Sequence, residues 1–125
     1  MSFPNELKYS AKHTWARVEG NVATVGISFY AQEQLGDLVF VEMPEVGASV
    51  TKDTPCGVVE SAKVASDFNS PVTGKVIEIN SELDDSPELM NEDCYGKGWF
   101  AKIELADAGE PATLLDAAGY QAGLE

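Results

Sequence analysis

An alternation of apolar and polar residues over positions 15–27 restricts the fold more than any other feature. In WARVEGNVATVGI the alternation runs on both sides of Gly20 and Asn21. This pair favours the positive φ angles of a tight turn, so the segment predicts a β-hairpin. A strand-rich fold is therefore expected.

The segments after the hairpin predict one short helix followed by further strands. Ser28 is suited to cap the helix FYAQEQL, and Gly36 is suited to end it. Short β-branched runs separated by proline and glycine then predict strands in LVFVEM, ASVT and CGVVES. Two more strands, at 64–68 and 73–79, flank NSPVTG, whose turn-forming residues should reverse the chain.

An acidic segment at 81–98 separates these strands from the next one. It lacks a sustained period and is rich in acid, proline and glycine, so a surface loop is expected. A calcium-binding loop would need acidic ligands at alternate positions around a glycine, and that spacing is absent. The following WFAKIEL predicts a half-buried strand whose inner face carries Trp99, Ala101, Ile103 and Leu105.

The C-terminal residues predict a helix that packs on the sheets. Pro111 is suited to its first turn. Leu114, Leu115 and Ala118 would form its apolar stripe, and Gly119 would stop the pattern.

The length of the chain favours one compact domain over residues 1–125. Its charge indicates which partners it can bind. The net charge of −13 would repel nucleic acid and anionic membranes. It suits a small protein that meets basic docking sites transiently, although an ordinary solvated surface has the same composition. No segment is apolar enough to span a bilayer, and MSFPNELKYS does not resemble a secretion signal. A cytoplasmic protein is expected.

The residues that usually support metal or thiol chemistry are sparse. Cys56 and Cys94 form no CxxC pair, and His13 is the only histidine. A zinc site or a redox motif is therefore not expected. A thiol enzyme using either cysteine remains an alternative, but a thiolate at neutral pH needs a base or a positive field nearby.

Lys63 lies between two predicted strands, among small residues and between Glu60 and Asp67. Its amine would be protonated in water, so catalysis by the free amine is not expected. An amide bond to the amine would instead remove the charge and place a cofactor on a long flexible stem. From spacing alone, an ordinary surface lysine is the competing interpretation.

The whole chain resembles the glycine cleavage system H-protein family. The resemblance rests on these segments: LKYS at 7–10, VGIS with AQEQLGD at 25–37, VFVEMPEVGASV at 39–50, VVESAKVASD at 58–67, SPVTGKV at 70–76, and the later SPELMN and GW. It implies a barrel-sandwich hybrid, mostly β, of two antiparallel sheets with short added helices. Relatives that carry biotin have an AMKM-like turn, which this chain lacks.

The family motif ES-x-K-x-x-S falls on Glu60, Ser61, Lys63 and Ser66. The resemblance implies that lipoic acid is covalently bound to Lys63. It also implies that Glu60, Ser61 and Ser66 guide the lipoate ligase or lipoyltransferase.

The implied function is that of a non-catalytic lipoyl carrier. Its swinging arm would shuttle an aminomethyl intermediate between glycine decarboxylase and aminomethyltransferase, and dihydrolipoyl dehydrogenase would reoxidise the dithiol. Tethering raises the effective concentration of the cofactor at each partner, and a surface cleft would shelter the intermediate from water.

The chain departs from the family near its first strand. The family usually has His-Glu-Trp there, and this chain has His13, Thr14 and Trp15, with Lys12 beside them. The resemblance implies a cleft that includes His13, Thr14 and Asp67, and the lost glutamate would weaken its hold on an amine. The alternative cargo is a sulfur intermediate, as in the lipoate-binding relatives that serve heterodisulfide-reductase-like subunits.

Overall fold

The computed structural model describes residues 7–10, 12–107 and 109–124. The strands are β1 (Lys8–Tyr9), β2 (Thr14–Glu19), β3 (Val22–Ile27), β4 (Leu38–Glu42), β5 (Ser49–Val50), β6 (Pro55–Ser61), β7 (Ala65–Asn69), β8 (Gly74–Ile79) and β9 (Ala101–Leu105). The helices are α1 (Phe29–Leu35), α2 (Glu82–Asp85), α3 (Leu89–Glu92) and α4 (Ala117–Leu124), with a 3-10 turn at Glu110–Thr113.

The strands form two antiparallel sheets, as predicted. One has the order β1-β2-β3-β9-β8-β5, and the other has the order β4-β6-β7. The main core contains buried residues of both sheets, among them Val25 and Ile103 of the larger sheet and Val59 and Phe68 of the smaller one. Burial of apolar surface between the sheets therefore holds them together.

The predicted hairpin and first helix are confirmed. Strands β2 and β3 pair from Glu19 and Val22 outwards, and Gly20 has a φ of 65° in the turn. The Ser28 hydroxyl accepts a hydrogen bond from the Ala31 amide, and Gly36 ends α1 with a φ of 79°. The residues that determine the hairpin turn and the helix ends lie within or next to these elements, which is why the sequence alone predicts them.

The prediction of a surface loop at 81–98 is wrong. Helices α2 and α3 lie there, and they bury Leu83 and Met90 completely. Cys94, which follows them, is also buried. Each helix is a single turn that buries one apolar residue, so no period appears in the sequence.

The segment NSPVTG joins the two sheets. Strand β7 before it pairs with β6 in the smaller sheet, whereas β8 after it pairs with β5 and β9 in the larger one. The two flanking strands are thus not partners of each other.

The predicted strand in WFAKIEL is present as β9, and Ala101, Ile103 and Leu105 are buried on its inner face. Trp99 precedes the strand and packs against a second, smaller core cluster. The strand is therefore shorter than its sequence pattern by two residues at the start.

The predicted limits of the C-terminal helix are wrong. Pro111 lies in the 3-10 turn, and α4 begins at Ala117 and continues through Gly119. The helix buries Ala117 and Tyr120, whereas Leu115 is 39% exposed. Tyr120 stacks on Tyr9 of β1, with ring centroids 4.9 Å apart. This aromatic contact, and not an aliphatic stripe, sets which face of α4 is buried.

Candidate functional site

Lys63 lies at the exposed end of the β6–β7 hairpin. The paired strands bring Glu60 opposite Ala65 just before the turn. Ser61 closes the turn, because its amide donates to the Val64 carbonyl at 2.8 Å and its hydroxyl accepts from the Lys63 and Val64 amides. The backbone under Lys63 is therefore fixed while its side chain extends into solvent.

The residues predicted to guide a ligase differ in accessibility. Glu60 is half-buried and Ser66 is exposed, so an enzyme can contact both. Ser61 is 6% exposed, and its hydroxyl is occupied within the turn. Ser61 thus acts by shaping the turn that presents the lysine.

A cleft lies beside the lysine hairpin, between the turn before β2, helix α1 and strand β7. Its volume is about 130 Å³, and its lining includes Lys12, His13, Thr14, Tyr30, Ala31, Gln34, Leu35, Ser66, Asp67 and Phe68. One water needs only about 15 Å³ by the same measure, so the cleft has room for a small aliphatic group. The three cleft residues predicted from the sequence, His13, Thr14 and Asp67, all line it.

Thr14 lines this cleft and has a buried hydroxyl. Thr14 is 2% exposed, and its hydroxyl oxygen forms no hydrogen bond within the described residues. Asp67 also lines the cleft, is exposed, and forms no ion pair within the described residues. A buried polar group usually has a partner, so the Thr14 hydroxyl destabilises the folded chain. Asp67 is the group in the cleft that can balance a positive charge.

His13 is held in an unusual backbone conformation at the mouth of the cleft. Its φ is 68°, in the left-handed region, and its ring lies 4.7 Å from that of Tyr30. Its Nδ1 is 2.8 Å from the Tyr120 hydroxyl. Burial lowers the pKa of His13, and the charge of Lys12 lowers it further. The ring is therefore mostly neutral at pH 7.

Mild acid is expected to destabilise the protein through His13. The pKa of His13 in the folded chain lies below its ordinary value of 6.5, so the unfolded chain binds more protons as the pH falls through that value. Stability should be full above about pH 6.5 and should decline below it. Lys12 and Asp67 are the charged residues that line the cleft with His13.

Urea unfolding of the wild type and of His13→Asn at about pH 7.5 and 5.5 measures this effect. Asparagine tolerates the left-handed φ and does not titrate, so the variant should lose less stability between the two pH values. Equal losses would contradict the prediction.

The two cysteines are unsuited to nucleophilic chemistry. Burial raises the pKa of Cys56 to about 11. Burial, with a contribution from the charge of Asp93, raises the pKa of Cys94 to about 12. Almost no thiolate forms at neutral pH, which disfavours a thiol enzyme.

Within the described residues, no group of three His, Cys, Asp or Glu side chains is arranged to hold a metal ion.

Sequence reasoning missed the contribution of α1 and α4 to the cleft. Tyr30, Ala31 and Gln34 of α1 line it, and Tyr120 of α4 contacts His13 from behind. The predicted cap at Ser28 placed the helix along the chain, but nothing in the sequence showed which side of it faces β7.

No helix in the described ranges is long and apolar enough to cross a membrane.

Comparisons with known proteins agree on one family. Residues 7–125 match the family model described as "Glycine cleavage H-protein". The glycine cleavage system H protein of Symbiobacterium thermophilum is 55% identical over 119 residues, which are 95% of this chain and 93% of that protein. The one from Aeromonas hydrophila is 57% identical over 119 residues, with 94% and 92% covered.

A solved structure has the same fold. The crystal structure of a glycine cleavage system H protein from Mycobacterium marinum superimposes with a TM-score of 0.89 and 38% identity, and 98% of each chain is covered. The family model spans nearly all of the sequence, and the two sequence relatives are more than half identical to it. This chain belongs to the glycine cleavage H-protein family.

Proposed function

We propose that this protein is the lipoyl carrier of a glycine cleavage system and that Lys63 holds lipoic acid in amide linkage. The observation that carries the proposal is the position of Lys63: its side chain is exposed on a fixed hairpin whose second strand, β7, forms one wall of the cleft. When bound, the lipoyl group would supply a disulfide, whose reductive opening would leave the aminomethyl group on one sulfur and a thiol on the other. Like the other members of its family, the chain is a carrier component and not an enzyme.

The cleft residues fit such an arm and its cargo. The apolar part of the lining, which includes Leu35 and Phe68, suits an aliphatic chain. The exposed Asp67 carboxylate can balance the charge of a cargo ammonium. Lys12 opposes that charge, so Asp67 is the acidic group that remains where the family usually also has a glutamate at position 14.

The lipoate ligase or lipoyltransferase would recognise the hairpin itself. Glu60 and Ser66 are accessible beside Lys63, and Ser61 keeps the turn in one conformation. The proposed carrier role also implies three enzyme partners, namely glycine decarboxylase, aminomethyltransferase and dihydrolipoyl dehydrogenase. We further propose that residues 1–125 act as one domain, because the family model spans 7–125. A cytoplasmic location stays a prediction from the sequence.

The relatives favour the aminomethyl cargo over sulfur. The two sequence relatives described above are named glycine cleavage system H proteins, and so is the solved structure. Thr14 lacks the carboxylate that the family usually has at this position, but Asp67 remains in the cleft as an exposed acidic partner for an amine.

The intact mass of the protein tests the proposal. Protein made in a lipoate-competent host should carry the mass of one lipoyl group, and peptide mapping should place that mass on the peptide that contains Lys63. Protein made without lipoate or its precursors should lack it. An unmodified chain from the competent host, or a lipoyl group on another lysine, would overturn the proposal.

Thr14→Val is expected to stabilise the protein without cargo. Valine has the shape of threonine but removes the buried hydroxyl, which lacks a partner, so stability should rise by about 1 kcal/mol. Urea unfolding of the unlipoylated protein measures this effect.

The matched control is Thr73→Val. The Thr73 hydroxyl accepts a hydrogen bond from the Lys52 amide at 2.9 Å, so removing it leaves a donor without its partner. That variant should be less stable by about 1 kcal/mol. A loss of stability in both variants would show that the Thr14 hydroxyl is satisfied in the free protein.

A further inference from the structure

The hydroxyl of Tyr120 connects two walls of the cleft. It lies 2.8 Å from Nδ1 of His13 and 2.7 Å from the hydroxyl of Ser28. His13 lines the cleft directly, and Ser28 caps α1, whose Tyr30 and Gln34 line the facing wall. A single atom of the C-terminal helix thus contacts both the turn before β2 and the start of α1.

The protons of this network have one direction that satisfies every group. Ser28 is fully buried, and its hydroxyl already accepts from the Ala31 amide. If Ser28 donates to Tyr120 and Tyr120 donates to Nδ1 of His13, each hydroxyl hydrogen has an acceptor. In the reverse direction, the hydrogen of Ser28 has no acceptor within the described residues. A buried donor without an acceptor is costly, so the first direction is favoured.

The anchoring of α4 keeps the Tyr120 hydroxyl in place. Tyr120 is 2% exposed, and its ring stacks on Tyr9 with an interplanar angle of 8°. The backbone of Tyr9 also exchanges two hydrogen bonds of 2.8 Å with Leu115, just before the helix. Tyr120 therefore belongs to a rigid cluster outside the cleft.

We propose that Tyr120 is a positioning residue for the cleft: its hydroxyl, donating to His13 and accepting from Ser28, holds His13 as the neutral Nε2–H tautomer and fixes the start of α1. The inference rests on the proposed function, because it assigns the C-terminal helix a role in shaping the cleft that receives the loaded arm. Burial raises the pKa of Tyr120, which keeps its hydroxyl protonated as this donor.

The ¹⁵N chemical shifts of the histidine ring test the proposal without any lipoyl group. His13 is the only histidine, so the signals need no assignment among several rings. In unlipoylated wild-type protein above about pH 7.5, where the ring is neutral, they should show the Nε2–H tautomer alone. Tyr120→Phe keeps the ring stack but removes the hydroxyl, and its His13 should show a mixture of tautomers.

Two further variants separate this role from a general loss of stability. Tyr95→Phe removes a hydroxyl that accepts from the Phe29 amide at the start of α1 and should leave the His13 tautomer unchanged. Ser28→Ala should disturb the tautomer, and adding it to Tyr120→Phe should have little further effect. An Nδ1–H tautomer in the wild type would overturn the proposal, as would an unchanged tautomer in Tyr120→Phe. The wild-type result stands even if a variant fails to fold.

The loaded protein supplies a second readout. Water slowly releases the aminomethyl group: the carbon–sulfur bond breaks, water supplies the oxygen, and formaldehyde, ammonium and the free thiol result. Release of formaldehyde should be roughly two- to tenfold faster from Tyr120→Phe, the range expected for the loss of one hydrogen bond. Equal release rates would contradict the role in the cleft. A chain that is never lipoylated would instead refute the proposed function and leave the tautomer result intact.

Discussion

Replacing Lys63 with arginine is expected to abolish lipoylation and all glycine-dependent exchange of carbon dioxide by the decarboxylase. Arginine keeps the positive charge and the long stem, but its guanidinium does not replace the amine as the group that forms the amide. The backbone of the turn is held by Ser61 and not by the lysine side chain, so the fold should be unaffected. Intact mass measures the first effect, and the exchange assay with added decarboxylase measures the second.

Lys75→Arg is the matched control for this experiment. Lys75 is also exposed, but it lies on β8 in the larger sheet and not in the β6–β7 hairpin. Its variant should be lipoylated and active. Both variants should unfold within about 0.5 kcal/mol of the wild type, as exposed substitutions usually do. Residual exchange activity with Lys63→Arg would mean that another group carries the cargo.

The parts of the fold that sequence predicts well are those whose signals are local. The β2–β3 hairpin depends on Gly20 in its turn, and α1 depends on the cap at Ser28. The position of Lys63 between two strands is similarly local, since small and β-branched residues surround it. In each case the residues that decide the structure are neighbours along the chain.

The parts that sequence misses depend on contacts between distant residues. Leu83 and Met90 belong to single helical turns whose burial is decided by the sheets they cover. Tyr120 is buried because Tyr9 stacks on it, and neither residue has a pattern that points to the other. Periodicity reports a continuous buried face, so it fails where an element buries only one or two residues.

In the candidate site, too, some features follow from the sequence motif and others only from contacts in the folded chain. The family motif gave Lys63 and its neighbours Glu60 and Ser66, whereas the structural use of Ser61 within the turn became visible only from hydrogen bonds. Thr14 stood out as a departure from the family, but its lack of a partner is a property of the folded cleft. The type of a residue indicates which groups it can bind. The packing of the folded chain decides which of its polar atoms have no partner.

Phe100→Ala is expected to be the most destabilising change in the core near the cleft. Phe100 is fully buried, and its ring stacks on Phe68 with centroids 3.9 Å apart. Its amide bonds to Val25 in the larger sheet, whereas Phe68 belongs to β7 in the smaller one, so the stack joins the two sheets. A cavity of this size usually costs about 3–5 kcal/mol, a large share of the roughly 5–15 kcal/mol that stabilises a domain.

The control and the consequence for the site follow from where each phenylalanine lies. Phe40 is 49% exposed on β4, so Phe40→Ala should cost at most about 1 kcal/mol in the same urea titration. Because Phe68 also lines the cleft, Phe100→Ala should remove the support of that wall and speed the loss of cargo from the loaded protein. A normal rate of cargo loss in a strongly destabilised Phe100→Ala would show that the cleft keeps its shape without the stack. Faster loss would show that packing between the sheets also sets how well the carrier shelters its cargo.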